Sequence, residues 1–153
     1  MPNISLADFT AKQKVENAAI IEVEQYSAEL CERLEAQMLE YSIRMVKRNA
    51  NIFGGSREDL SDYAKERLKD LEENGIEDTF TISSGRKYHK VIHNDKGGHG
   101  SVHAFIDKKT GDVYKPASWN KPAKHVRYNL LERESRQLMF GQLDWAGGYL
   151  YAR

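Results

Sequence analysis

The sequence predicts an α+β protein in which a long N-terminal helical hairpin precedes a small antiparallel β-sheet and a short C-terminal helix. Between Pro2 and Gly54 there is no glycine or proline, and apolar side chains recur every three or four residues. From Thr79 onward the apolar residues alternate with polar ones between turn-forming segments, which is typical of strands. Acidic residues also predominate in the first of these parts and basic residues in the second.

The first segment is expected to form one helix, with Ser5 or Thr10 as its N-cap. Forty helical residues span about 60 Å, whereas a compact chain of this length has a radius of gyration of about 15 Å. We therefore expect either a break near residues 49–51 or earlier, or packing of the exposed stripe against another subunit. We favour a helix from a second copy of the chain as the partner, and the alternative is a bent helix in a monomeric bundle. The apolar stripe comprises Val15, Ala19, Val23, Tyr26, Leu30, Leu34, Met38, Tyr41 and Met45.

A second helix is expected after the Gly54-Gly55 interruption. Ser56 followed by Asp59 indicates its first turn, and Asn74-Gly75 is a typical C-terminal cap. The two helices predict a helical oligomerisation region over residues 1–75. Residues 76–153 are then predicted to form a basic antiparallel sheet domain.

The sheet is predicted to contain four strands, and its clearest turn is Asp107-Lys-Lys-Thr-Gly111, where glycine can take a positive φ. In the third strand, strict alternation puts Val102, Ala104 and Ile106 on one face. The same alternation puts His103, Phe105 and Asp107 on the other. The predicted strands cover residues 79–82, 86–93, 101–107 and 112–115. Residues 116–128 are expected to be a loop or an irregular edge of the sheet. Asn129 is expected to cap a helix over 130–140, and Tyr149, Leu150 and Tyr151 to pack in the core.

Overall charge is neutral, with 23 basic and 23 acidic side chains, but the charge is unevenly distributed. Residues 1–79 carry 10 basic and 17 acidic side chains, whereas residues 80–128 carry 10 basic and 3 acidic ones. The second block is therefore a candidate for binding anions. The alternative is that the acidic and basic parts of the chain only neutralise each other. No apolar run is long enough for a membrane span and the N-terminus lacks the pattern of a secretory signal, so a cytoplasmic protein without membrane association is expected.

Neither a metal site, a cofactor nor a catalytic residue is predicted. The single cysteine, Cys31, lies among Glu29, Glu32 and Glu35, which raise rather than lower a thiol pKa. All five histidines lie in the basic block, and the pairs His89/His93 and His99/His103 are four residues apart, which on a strand is about 13 Å. Two such side chains on one strand are too far apart to share a metal ion, and the alternative is a cross-strand pair of His103 with His89 or His93. We therefore expect a non-catalytic protein.

The richest candidate binding segment is residues 115–129, which interleave basic, aromatic and amide side chains. Cations bind phosphate, flat rings stack on bases and amides recognise base edges. The alternative is that Trp119 packs in the core and the lysines are only solvated. The predicted ligand contacts are Lys115, Trp119, Asn120, Lys121, Lys124, His125, Arg127 and Asn129, together with His103, Phe105 and Arg57.

The run SVHAFIDKKTGDVYKPASWNKPAKHVRYNLL (residues 101–131), with DWAGGYLYAR (residues 144–153), resembles small, mostly uncharacterised proteins of tailed bacteriophages. The overall layout is similar to phage anti-defence sponge proteins such as the Thoeris anti-defence family. The resemblance implies a cytoplasmic role in an infected host, and the similarity of layout implies sequestration of a cyclic nucleotide immune signal. The leading hypothesis is thus a homo-oligomer that binds a nucleotide-like anion. The alternatives are a single-stranded nucleic-acid-binding protein and a structural or host-factor-binding phage protein.

Overall fold

The computed structural model describes residues 5–52 and 61–151, and it confirms the predicted α+β class. A five-stranded antiparallel sheet, in the order β1-β2-β3-β4-β5, packs one face against the first helix. A short 3₁₀ helix, Gly148–Leu150, follows the last α-helix. The elements are α1 (Leu6–Ile52), α2 (Asp62–Asn74), β1 (Thr79–Ser84), β2 (Tyr88–Asn94), β3 (Gly100–Asp107), β4 (Asp112–Tyr114), β5 (Tyr128–Asn129) and α3 (Arg133–Gln142).

Helix α1 is a single element of 47 residues, so it spans about 70 Å. The predicted start is confirmed, because the Ser5 hydroxyl accepts a hydrogen bond from the backbone N–H of Asp8. The helix does not end at residues 49–51 but continues to Ile52. Residues 5–18 are all exposed, so the first quarter of α1 extends beyond the sheet. Within the two described ranges, no helix is long and apolar enough to cross a membrane.

Helix α2 packs against α1 and buries Leu68 and Leu71. It begins at Asp62, and the Ser61 side chain caps it by accepting from the N–H of Ala64. The predicted capping pair Ser56 and Asp59 lies outside the described residues. The predicted C-terminal cap is confirmed, since the N–H of Gly75 donates to the carbonyl of Leu71.

The strands confirm the predicted hairpins and add one element. Asp107 and Gly111 form the expected turn, in which the Asp107 carboxylate accepts from two backbone N–H groups and Gly111 has φ +76°. Of the two forms predicted for residues 116–128, a loop or an irregular edge, the end of the segment takes the second, because Tyr128 and Asn129 pair with β4 as a short fifth strand. A strand of two residues is too short to show the alternation of apolar and polar residues by which strands are predicted.

A β-bulge in β3 changes the predicted faces. Val91 pairs with Ala104 and Ile92 pairs with Val102, so His103 is an extra residue between them. His103 therefore contacts the core rings of Phe80 and Tyr149, whereas Phe105 lies on the opposite, outer face. The prediction that His103 and Phe105 share a face was wrong because alternation fails at a bulge.

The core lies between α1 and the inner face of the sheet. The predicted boundary at residues 75 and 76 separates α2 from β1, but one continuous apolar core crosses it. Two side-chain contacts reinforce this packing: the Glu35 carboxylate accepts from the N–H of Phe80 at 2.8 Å, and the Gln37 amide oxygen accepts from the N–H of Trp145 at 2.7 Å. The fully buried members are Val23, Leu30, Leu34, Val91, Ala104, Ile106, Val113, Leu130, Met139 and Leu150.

The C-terminal segment corrects two further predictions. Helix α3 begins at Arg133, three residues later than predicted, and Asn129 is not its N-cap. The Asn129 side-chain oxygen instead accepts from the N–H groups of Leu131 and Glu132 in the connecting turn. Tyr149 and Leu150 are buried as expected, whereas Tyr151 is 58% exposed.

The Gly111 turn provides a stability prediction. A Cβ atom at Gly111 would lie 3.1 Å from the Leu131 side chain, whereas at Gly98, also at positive φ, it would meet nothing within 4 Å. We expect Gly98→Ala to lower the free energy of unfolding by about 1 kcal/mol through backbone strain alone. Gly111→Ala should add about 1–3 kcal/mol from overpacking. Denaturant unfolding measures both, and equal losses would contradict the predicted clash.

Candidate functional site

A cleft on the outer face of the sheet combines aromatic and cationic side chains. Alternation along β2 directs Tyr88 and Lys90 to this face, and their register partners in β3 are Asp107 and Phe105. The cleft has a volume of about 210 Å³. Its lining residues are Ser83, Ser84, Gly85, Arg86, Lys87, Tyr88, Lys90, Phe105 and Asn120.

The cleft is electropositive. It is lined by the cations of Arg86, Lys87 and Lys90 and by no carboxylate. None of the three forms an ion pair with any carboxylate in residues 5–52 or 61–151. Their charges are therefore available to an anion, which Lys and Arg bind through charge-assisted hydrogen bonds.

The floor of the cleft is aromatic. The ring of Tyr88 contacts those of Phe105 and Tyr114 edge-to-face, with centroids 5.8 and 6.1 Å apart. Phe105 is only 2% exposed, although it lies on the outer face, because neighbouring side chains cover it. One of these is Lys90, whose Nζ lies 5.7 Å from the Phe105 ring centroid.

Trp119 lies above Lys90, with the Lys90 Nζ 4.8 Å from the indole centroid. Gly100 lies beside the same indole, because a Cβ atom there would be in ordinary contact with the Trp119 ring at 3.7 Å. The Lys90 ammonium thus lies within cation–π range of two rings, those of Trp119 and Phe105. Trp119 remains 49% exposed, so one side of the indole is free to stack.

The loop that carries Trp119 is held by its own backbone. Pro116 and Pro122 form an isolated bridge, and the N–H groups of Ala117 and Ser118 both donate to the carbonyl of Lys121. Trp119 and Asn120 lie at the tip of this closed loop. The predicted rigid loop therefore presents one stacking ring and one amide to the outer face.

The structure brings three of the eleven predicted contacts together, namely Phe105, Trp119 and Asn120. Lys115 instead lies with its Nζ 4.5 Å from the ring centroid of Tyr151. Asn129 is engaged internally, because its amide donates to Thr110 and Asp112. Lys121, Lys124 and His125 are exposed, Arg127 is half-buried, and Arg57 lies outside the described residues.

Arg86, Lys87, Lys90 and Tyr88 were missed as site residues. They lie in or beside the predicted second strand, and Tyr88 and Lys90 share the i, i+2 spacing of one strand face. That spacing was a usable signal, because a solvent-facing strand side carrying a ring and a cation is a common binding surface. Only the register of β2 with β3 shows that Phe105 lies on the same side.

A second cleft, of about 230 Å³, is lined by His93, Ser101, Val102, His103, Pro116, Trp145, Ala146, Gly147 and Tyr151. His93 Nε2 lies 2.7 Å from the Asp78 carboxylate, and its ring stacks on Phe80. His103 Nε2 lies 2.7 Å from the Tyr149 hydroxyl. Burial lowers the pKa of His103 to about 4, against an opposing effect of Asp144, so this imidazole is neutral at pH 7.

Neither metal nor thiol chemistry gains support from the described parts of the chain. In residues 5–52 and 61–151 there is no group of three or more His, Cys, Asp or Glu side chains that could hold a metal ion. Burial, followed by Glu35 and Glu32, raises the pKa of the Cys31 thiol to about 12, as the sequence predicted in direction. A protonated, buried thiol is a poor nucleophile.

Comparison with known proteins identifies one family. No curated protein and no solved structure matches the chain significantly. A family model described as a family of unknown function, DUF7717, matches residues 6–152. The match covers α1, the sheet and α3 together. The chain therefore belongs to the DUF7717 family of unknown function.

Proposed function

We propose that the outer cleft binds a nucleotide-like anion without chemical turnover. The observation that carries the proposal is the placement of Arg86, Lys87 and Lys90, unpaired among the described residues, around the Tyr88 and Phe105 rings. Cations beside flat rings match a ligand that joins phosphate to an aromatic base.

The cleft volume limits the ligand. Pockets that enclose drug-sized molecules occupy about 300–1,000 Å³, and this cleft has about 210 Å³. It therefore suits one nucleotide unit, with the rest of a larger ligand left outside. Asn120 lines the cleft and its amide can form hydrogen bonds with such a base, while the exposed part of Trp119, beside Lys90, can stack on the portion of the ligand that extends outside.

Calorimetry with nucleoside monophosphates, 3′,5′-cyclic nucleotides and inorganic phosphate tests the proposal. Lys90→Ala should weaken nucleotide binding at least about tenfold, because a charge-assisted hydrogen bond contributes about 1.5–3 kcal/mol. Lys65→Ala removes an equal charge from an exposed position on α2 and should leave affinity unchanged. Absence of binding to the folded protein, or equal losses in both variants, would contradict the proposal.

The similarity of layout to phage anti-defence sponge proteins extends this proposal to sequestration of a cyclic nucleotide immune signal in the host cytoplasm during infection. Sequestration requires that the ligand survives binding. A bound cyclic nucleotide released by heating the complex should be chemically unchanged and in a fixed ratio to protein. Recovery of a hydrolysed product would instead indicate an enzyme.

Single-stranded nucleic acid is the second candidate ligand. Lys121, Lys124 and His125 are exposed in the loop segment that follows Trp119, which extends the basic surface beyond the cleft. Affinity for oligonucleotides should then increase with strand length and fall steeply with salt. A mononucleotide site would show no gain in affinity beyond a length of one nucleotide and only a shallow dependence on salt.

We also propose that α1 associates with a second copy of the chain. Support comes from the exposed apolar side chains near its start, Leu6, Phe9, Val15 and Ile21, which are 50–80% exposed. Native mass measurement of the purified protein reports the number of subunits. A protein that remains a single chain at high concentration would contradict this association.

A further inference from the structure

We propose that the second cleft, beside His93 and His103, is a separate binding site that takes an uncharged planar heteroaromatic ring such as a nucleobase. The proposal does not rest on the function of the outer cleft, because the two clefts share no lining residue. They also differ in chemistry.

The lining of the second cleft carries no Lys, Arg, Asp or Glu side chain. Its larger side chains are the rings of Trp145 and Tyr151 and the two imidazoles, and Ser101 adds a hydroxyl. Flat rings with a few polar atoms favour a planar ligand that carries hydrogen-bonding groups and no net charge. These residues supply no fixed cation to an anion; Lys115 contacts the Tyr151 ring, with its Nζ 4.5 Å from the centroid, but is not part of the lining.

His103 supplies a polar atom that the fold leaves free. The side chain is 7% exposed, and its only hydrogen bond joins Nε2 to Tyr149, so Nδ1 has no partner among the described residues. Among the described residues, the buried side-chain nitrogens that lack a partner belong to His89 and Arg127, so Nδ1 of His103 is not sealed inside the core. It can therefore form a hydrogen bond with a ligand in the cleft. Gly147 lies beside this ring, and a Cβ atom there would be 3.6 Å from His103 Cε1.

The other walls are held in place by the fold. Asp78 fixes the His93 ring through its Nε2, which leaves Nδ1 without a partner among the described residues. The backbone N–H of Trp145 donates to Gln37 of α1, and the Trp145 ring contacts those of His93 and Tyr41. The site is therefore preorganised, which reduces the entropy lost when a rigid ligand binds.

The two tryptophans of the chain allow each cleft to be observed separately. In Trp119→Phe, Trp145 is the only tryptophan and reports on the second cleft. Adenosine, guanosine, cytidine and uridine, which carry no phosphate, are titrated against its fluorescence. We expect saturable quenching by at least one purine nucleoside, because the larger ring stacks over more area.

Two further variants, made in the Trp119→Phe protein, locate the bound nucleoside. Ser101 and Tyr151 are both exposed, so Ser101→Leu and Tyr151→Ala should fold, as circular dichroism would verify, and each should weaken binding at least tenfold. Lys90→Ala, in the outer cleft, should leave the quenching unchanged. The proposal is overturned if no nucleoside gives saturable quenching, if both cleft variants bind normally, or if Lys90→Ala abolishes the signal.

Discussion

Replacing Leu30 by alanine is expected to lower the free energy of unfolding by about 2–5 kcal/mol. Leu30 is 0% exposed and lies where α1 meets the inner face of the sheet. The truncation removes buried methyl groups and leaves a cavity that a packed core fills only partly. Urea unfolding followed by circular dichroism measures the change.

The matched control lies on the same helix. Val15 is 70% exposed, so Val15→Ala should change the free energy of unfolding by no more than about 0.5 kcal/mol. If Val15→Ala were as destabilising as Leu30→Ala, the exposed first quarter of α1 would have to be buried in solution, which would favour association with a second copy.

Lowering the pH from 6.5 to 4 is expected to reduce stability by about 3 kcal/mol through His103 alone. Its pKa is about 4 in the folded protein, against 6.5 for an unperturbed histidine, and each pKa unit corresponds to about 1.36 kcal/mol. Between these values the unfolded chain binds a proton that the folded protein does not. The stabilisation is therefore complete above pH 6.5 and is lost as the pH falls toward 4.

His103→Gln isolates the contribution of His103 to the pH dependence of stability, because a glutamine side chain does not titrate. The variant should be less stable than the parent at pH 7, but its stability should fall less between pH 6.5 and pH 4. Burial, followed by Lys108, also lowers the pKa of His89, but His89 titrates in both proteins and cancels in the comparison. Parallel stability curves would contradict the prediction.

Features set by neighbouring residues could be predicted from the sequence. The Asp107-to-Gly111 turn follows from a short carboxylate and a residue that tolerates positive φ, and the start of α1 follows from Ser5. The bulge at His103 could not be predicted in this way. It depends on how β2 pairs with β3, and one extra residue reverses the face of every residue beyond it.

In the candidate site, too, the residues set by local sequence could be predicted, and those brought in by tertiary pairing could not. Trp119 and Asn120 stood out because aromatic, basic and amide residues lie close together in that loop. The cations of Arg86 and Lys90 are about thirty residues away in sequence, and tertiary pairing brings them to the same cleft. Asn129 was predicted to recognise a base edge. Its amide instead donates a hydrogen bond to Asp112, which lies opposite it in β4.

The contacts that hold α1 on the rest of the fold join residues that the ribosome synthesises several seconds apart. Its Glu35 and Gln37 side chains bond to the backbones of Phe80 and Trp145, which are 45 and 108 residues further along the chain. A ribosome adds about 5–20 residues per second, so about 5–20 s separate Gln37 from Trp145 during synthesis. Until the sheet strands have been synthesised, Leu30 and Leu34 have no sheet to cover them, and exposed apolar surface of this kind makes a nascent chain prone to aggregation.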